Sequence, residues 1–157
     1  MIVRPARPTD LDYVVALWGI LMQSHRELDP VLYETKENAF DTFRAFARRQ
    51  MGRRECIFLV AEAEAGQGAV GYLLGAIGQR SPVYTVHHIG MLYDLVVSPN
   101  YRRMGIGERL VSTAQEWFLD RGVRHLQVNF DPRNDSSSKF WPKLGFETLL
   151  SEAYLDI

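Results

Sequence analysis

The chain has 157 residues, enough for a single domain over 1–157, and at that length folding buries about 70% of the unfolded surface without staples. Lys and Arg number 18 against 19 Asp and Glu, a formal net charge of −1, with 24% charged and 46% hydrophobic residues; this excludes a disordered tail and a polycation that coats nucleic acid. The lone cysteine, Cys56, excludes an intrachain disulfide and a multi-cysteine zinc site, and it reads as a small buried hydrophobe.

Arg4, Pro5, Arg7 and Pro8 stand where a secretory signal needs an unbroken apolar stretch, and no apolar run approaches the roughly 20 residues of a membrane span. A cytoplasmic protein with no membrane partner is expected. Ile2-Val3-Arg4 predicts a first strand, ended by Pro5 and Pro8. Thr9 as N-cap, Asp10 and Asp12 in the first turn, and Leu11, Val14, Val15, Trp18, Leu21 and Met22 at helical spacing predict a helix to about Ser24. From His25 to Glu37 the chain is acidic and broken by Asp29-Pro30, so it reads as a loop or interrupted helix where substrate contacts are expected. Phe40, Phe43, Phe46 and Ala47 mark a second amphipathic helix.

The β-branched and aromatic run 56–61 and its return 69–77 read as a hairpin about Gly66-Gln67-Gly68. A strand over 86–97 ends in Leu95-Val96-Val97, a run suited to burial on both faces. A helix over 105–120 stops at Gly122, followed by a strand over 123–130, a short helix over 136–144 stopped at Gly145, and closing strands over 146–150 and 153–157. This order predicts a mixed α/β sheet of about six to seven strands with about four helices and one parallel crossover around the helix over 105–120.

The chemistry concentrates after Val97. A buried strand, a loop with two glycines and a helix opening on that loop form an anion receptor, because the first amides of a helix lack intrahelical partners. Gly105 and Gly107 let the amides between Arg103 and Glu108, those of Met104 and Ile106 included, converge on one diphosphate, with Arg102 and Arg103 adding charge at the rim. A dinucleotide fingerprint needs a third glycine, but Gly107 is followed by Glu108-Arg109-Leu110; a P-loop needs a lysine the loop lacks.

What remains, Arg102-x-x-Gly105-x-Gly107 after Asp94-Leu95-Val96-Val97-Ser98-Pro99, strongly resembles the diphosphate loop of the GNAT superfamily of acyl-CoA-dependent N-acyltransferases. Asn134 followed by Ser138-Lys139-Phe140-Trp141-Pro142-Lys143-Leu144-Gly145-Phe146 is similar to that family's late helix, and the element order agrees over nearly the whole chain. The resemblance implies acetyl-CoA as cosubstrate, no metal, an amine-bearing small molecule or peptide as acceptor, and a splayed pair of parallel central strands. The pantetheine arm then pairs with the backbone of Leu95, Val96 and Val97, and an amide, that of Val96, polarises the thioester carbonyl. Asn134 and Phe140 line the other wall, and Lys143 suits the adenosine 3′-phosphate. Dimers are frequent in proteins of this kind, which makes a homodimer an expectation.

A lysine-like amine with pKa about 10.4 must lose a proton before it attacks a thioester at neutral pH. Asp94 is the first candidate base, with Glu62, His87 and His88 behind it. The family's usual acid is a tyrosine on the late helix, where this chain has Trp141, so Tyr93, Tyr101 or solvent stays open as the proton source. Trp141 is also the one feature that favours the competing reading, a non-catalytic acyl-CoA or anion-binding module. Arg44, Arg48, Arg49, Arg53 and Arg54 read as a solvated face rather than a nucleic-acid site. Glu27, Asp29, Glu34 and Glu37 suit a cationic acceptor without choosing among a polyamine, an aminoglycoside, an amino acid and a protein amine.

Overall fold

The computed structural model describes residues 1–155. Five strands form one sheet in the order β1 (Ile2–Pro5), β2 (Cys56–Glu62), β3 (Ala69–Gln79), β4 (His88–Val97), β5 (Leu126–Val128). Each neighbour pairs antiparallel except β4 and β5, which run parallel across the crossover helix α3 (Ile106–Leu119). The other helices are α1 (Leu11–Leu28), α2 (Ala39–Gln50) and α4 (Asp135–Lys143).

Period-two alternation sorts the sheet onto two cores. Phe58, Val60, Tyr72 and Leu74 face α1 and α2, where Val14, Leu17, Phe43 and Ala47 are buried. Ile57, Leu59, Ala61 and Leu73 face Ile106, Leu110, Ala114 and Phe118 of α3, and Trp141 of α4. Both α3 and α4 end in the six-to-one turn that glycine terminates: Val123 N–H bonds Phe118 O at 3.0 Å, and Phe146 N–H bonds Trp141 O at 3.1 Å. The expected stops at Gly122 and Gly145 are those turns, with φ of +74° and +87°.

Register breaks once in the β3–β4 ladder. Leu74 lies opposite Asp94 and Gly75 opposite Leu92, so Tyr93 is a bulge residue without a partner. The bulge switches faces: Leu92 packs on the α3 side, whereas Val96, four residues on, packs on the α1 side and Leu95 and Val97 return to α3. A regular strand would hold residues four apart on one face.

Several expectations are corrected. The sheet has five strands among the described residues, not six to seven: 146–150 and 153–155 form no strand, and the rest of the predicted closing strand, 156–157, lies outside the described residues. β5 offers only Leu126–Val128 as a template, far shorter than the expected 123–130, and Leu149 and Leu150 stay exposed. α1 runs on to Leu28 rather than stopping near Ser24. Thr9 is exposed and caps nothing, and Asp10 instead accepts the Arg7 amide at 2.7 Å.

Candidate active site

Parallel pairing joins Gly90, Met91 and Leu92 to Leu126, Gln127 and Val128 and ends there, while β4 continues to Val97. From Tyr93 onward the β5 side of β4 has no registered partner among the described residues. Ser98 N–H bonds Val70 O at 2.8 Å, and the same register pairs Tyr72 with Val96. Hydrogen-bonded positions of an antiparallel ladder alternate, so the Val96 amide points at β3, and the amides of Leu95 and Val97 turn to the open edge. The expected oxyanion donor is thereby corrected: Val96 N–H belongs to the ladder. Val97 O faces outward too, where Arg102 Nε reaches it at 3.2 Å.

Below this edge the chain makes a short 3-10 turn, Pro99–Tyr101, and a loop in which Arg103 has φ +59° and Gly105, the α3 N-cap, has φ +76°. Arg102, Arg103, Met104, Gly105 and Glu108 are exposed, and Ile106 is buried as the first anchor of α3. A Cβ on Gly105 would meet nothing within 4 Å, leaving the loop face open to a bulky anion. Gly107 differs: a Cβ there would stand 3.2 Å from Phe140 Cζ, so this glycine lets α4 approach α3. Asn134 caps α4, accepting Ser136 and Ser137 amides at 3.1 and 3.2 Å. Lys143 pairs with Glu108 across the mouth between α3 and α4.

Asp94 follows the bulge, on the α1 face, two residues past the last β4–β5 pair. Its Oδ2 accepts the Tyr72 hydroxyl at 3.0 Å. Burial pushes the Asp94 carboxyl up from its ordinary value, and the Tyr72 hydrogen bond opposes that rise. Burial likewise pushes Tyr72 well above the usual phenol range, so it remains a donor. No motif or spacing singles out Tyr72; its one signal in the sequence is a lone hydroxyl inside the apolar run 70–77.

The other candidates disperse. Glu62 is buried but ion-paired to Arg4 and hydrogen-bonded by Gly66 N–H at 2.9 Å, and that amide first, then Arg4, holds it below the usual carboxylate range, which unfits it as a base. His87 and His88 are exposed. Trp141 is buried between Phe140 and Phe146, with ring centroids at 5.0 and 5.2 Å; Tyr93 is exposed and Tyr101 packs on the α3-side core. Burial raises the Cys56 thiol.

In the α1–α2 segment His25 stacks on Tyr33 at 4.9 Å, and burial lowers it. Asp29 organises its own turn, accepting Val31 and Leu32 amides and the Tyr154 hydroxyl, while Glu27, Glu34 and Glu37 are exposed. Of the basic cluster, Arg44 pairs with Asp12 at 2.7 Å and Arg53 with Glu55. Among the described residues no helix is long and apolar enough to cross a membrane, and no group of three or more His, Cys, Asp or Glu gathers as a metal site.

An uncharacterized N-acetyltransferase of Methanocaldococcus jannaschii is 26% identical over 145 residues, 92% of this chain; the chain spans only 60% of that relative. A tetramutant of the BH1408 protein from Bacillus halodurans superposes with TM-score 0.83 at 19% identity, covering 100% of both chains. The aminoglycoside N-acetyltransferase AAC(6')-Iy, solved in complex with CoA, superposes with TM-score 0.75 at 20% identity over 99% of this chain and 93% of its own. Residues 16–146 match the Acetyltransferase (GNAT) family, and the chain belongs to it.

Proposed function

We propose that the protein transfers an acetyl group from acetyl-CoA to a primary amine by direct attack in a ternary complex. The observation that carries this reading is the juxtaposition of a β4 edge unpartnered among the described residues, an open loop turning through Gly105, and the Asp94 carboxylate just past the last β4–β5 pair. Acetyl-CoA supplies the acetyl group as an activated thioester. The residues present suit its diphosphate: loop amides from Arg103 to Glu108 open into α3, with the exposed Arg102 and Arg103 beside them. Splaying of β4 from β5 gives the amide-rich arm an edge to pair with at Leu95 and Val97, whose outward amides also serve the oxyanion that forms as the amine adds.

Asp94 acts as general base. Removing a proton from an amine with pKa about 10.4 at neutral pH costs roughly 4–5 kcal/mol, and a desolvated carboxylate on β4, just past its last pair with β5, suits that task. Asn134 and Phe140 close the far wall of the groove, and Lys143, though paired with Glu108, remains exposed for a phosphate. Aminoglycoside N-acetyltransferases among the structural neighbours favour a polycationic acceptor, and the exposed Glu27, Glu34 and Glu37 suit one.

The test is calorimetry with acetyl-CoA, followed by thiol release with a panel holding a polyamine, an aminoglycoside, amino acids and peptides. Saturable binding and release with at least one amine is the expected result. Binding with no release on any amine would instead establish the non-catalytic module, the reading that Trp141 in place of a tyrosine favours. Absence of binding would end both.

A further inference from the structure

The two oxygens of Asp94 have different surroundings. Oδ2 accepts the Tyr72 hydroxyl at 3.0 Å. Among the described residues Oδ1 has no hydrogen-bond partner, and no buried side-chain oxygen lacks one, so Oδ1 is not sealed from solvent. Tyr72 itself is fully buried, its ring 5.8 Å from that of Phe58, on β3 beside the strand that carries Asp94. A side chain packed on all sides has one rotamer available, and its hydroxyl is a fixed point rather than a swinging one. Among the described residues, Tyr72 is the titratable or charged group that acts on Asp94 from the elements packed against it.

We propose that Tyr72 is a positioning residue for acetyl transfer: its hydroxyl clamps Oδ2 of Asp94 so that Oδ1 alone is presented to the acceptor ammonium. This rests on the reading of Asp94 as the base. In the step concerned one N–H bond of the ammonium breaks, an O–H bond to Oδ1 forms, and the electron pair stays on nitrogen for attack on the thioester. The clamp also selects the protonation state. A donor to the ionised carboxylate favours the anion, against the burial that disfavours it.

The experiment compares the wild type with Tyr72→Phe and Asp94→Asn, using the panel amine that releases most thiol, from about pH 5 to 9. Loss of a hydrogen bond to a charged group predicts that Tyr72→Phe lowers kcat about tenfold near pH 7 and moves the acid limb of the profile to higher pH. The KM for acetyl-CoA stays unchanged, and Asp94→Asn removes the limb. Fluorotyrosine at position 72, a better donor of the same shape, moves the limb the other way and covers the case of a poorly folding phenylalanine variant. A purely structural Tyr72 would leave the limb in place in both. That outcome with Asp94→Asn still defective sinks the positioning role alone. An Asp94→Asn enzyme with wild-type kcat and limb, or no amine turned over at all, sinks the base reading and this proposal together.

Discussion

Gly105 and Gly107 stand two residues apart and answer to different constraints. At Gly105 the backbone is left-handed, φ +76°, with open space around the missing Cβ; at Gly107 a Cβ would crowd Phe140 at 3.2 and 3.3 Å. Alanine at Gly105 pays the left-handed penalty, roughly 1–2 kcal/mol, and projects a methyl into the space assigned to the diphosphate. We expect Gly105→Ala to lower Tm and weaken acetyl-CoA binding about tenfold in calorimetry, about 1.4 kcal/mol. Gly107→Ala gains helix propensity of about 1 kcal/mol and must displace the Phe140 ring, so its cost belongs to a contact rather than to the backbone. Gly107→Ala with Phe140→Leu is then expected to melt higher than the sum of the single changes. Strict additivity would show that Phe140 does not set the need for glycine there.

The Gly-x-Gly loop, its arginines and the helix behind it were legible because their chemistry is local: a few neighbours in sequence define a turn and a helix start. The orientation of β4 was not. Leu95-Val96-Val97 reads as apolar on both faces whichever way it points, and only the long-range pairing with β3 and the bulge at Tyr93 decide which amides face out. Tyr72 and Asp94 are 22 positions apart, and no spacing rule joins them. Residues 146–150 have strand composition yet form no strand, because a strand needs an edge to pair with and β5 supplies only Leu126–Val128. Hydrogen exchange resolves the edge at single amides. The Val96 amide is expected to be protected in the free protein, and those of Leu95 and Val97 to exchange quickly until acetyl-CoA slows them. Equal protection at 95, 96 and 97 without ligand would mean that another segment already covers this edge.

On the scale of the whole molecule, one cluster ties the first strand to the rest of the sheet. Arg4 on β1 reaches Asp10 at the start of α1 with two 2.8 Å hydrogen bonds and pairs with Glu62 on β2, whose other oxygen accepts the Gly66 amide of the β2–β3 turn. Asp10 and Glu62 are 4% and 6% exposed, so each carboxylate is desolvated and depends on its partners. The Arg4 hydrogen bond chiefly holds Asp10 below its ordinary range, and the Gly66 amide, then Arg4, does so for Glu62. A carboxyl depressed in the folded state contributes stability above its unfolded pKa and loses it as pH falls through the folded value. Wild-type Tm is therefore expected to hold near neutrality and to drop once pH falls below roughly 4.5, where unfolded carboxylates take up protons first. Arg4→Met removes the cation and strands two buried anions at pH 7, so its Tm lies well below that of the wild type there. As both carboxyls become neutral in acid that penalty fades, and the two melting curves converge as pH falls through the depressed folded values. Calorimetric melting of both proteins across this range checks the account: a Tm gap that stays constant from neutrality to acid would show that Arg4 contributes through packing of its stem and not through the charges it joins.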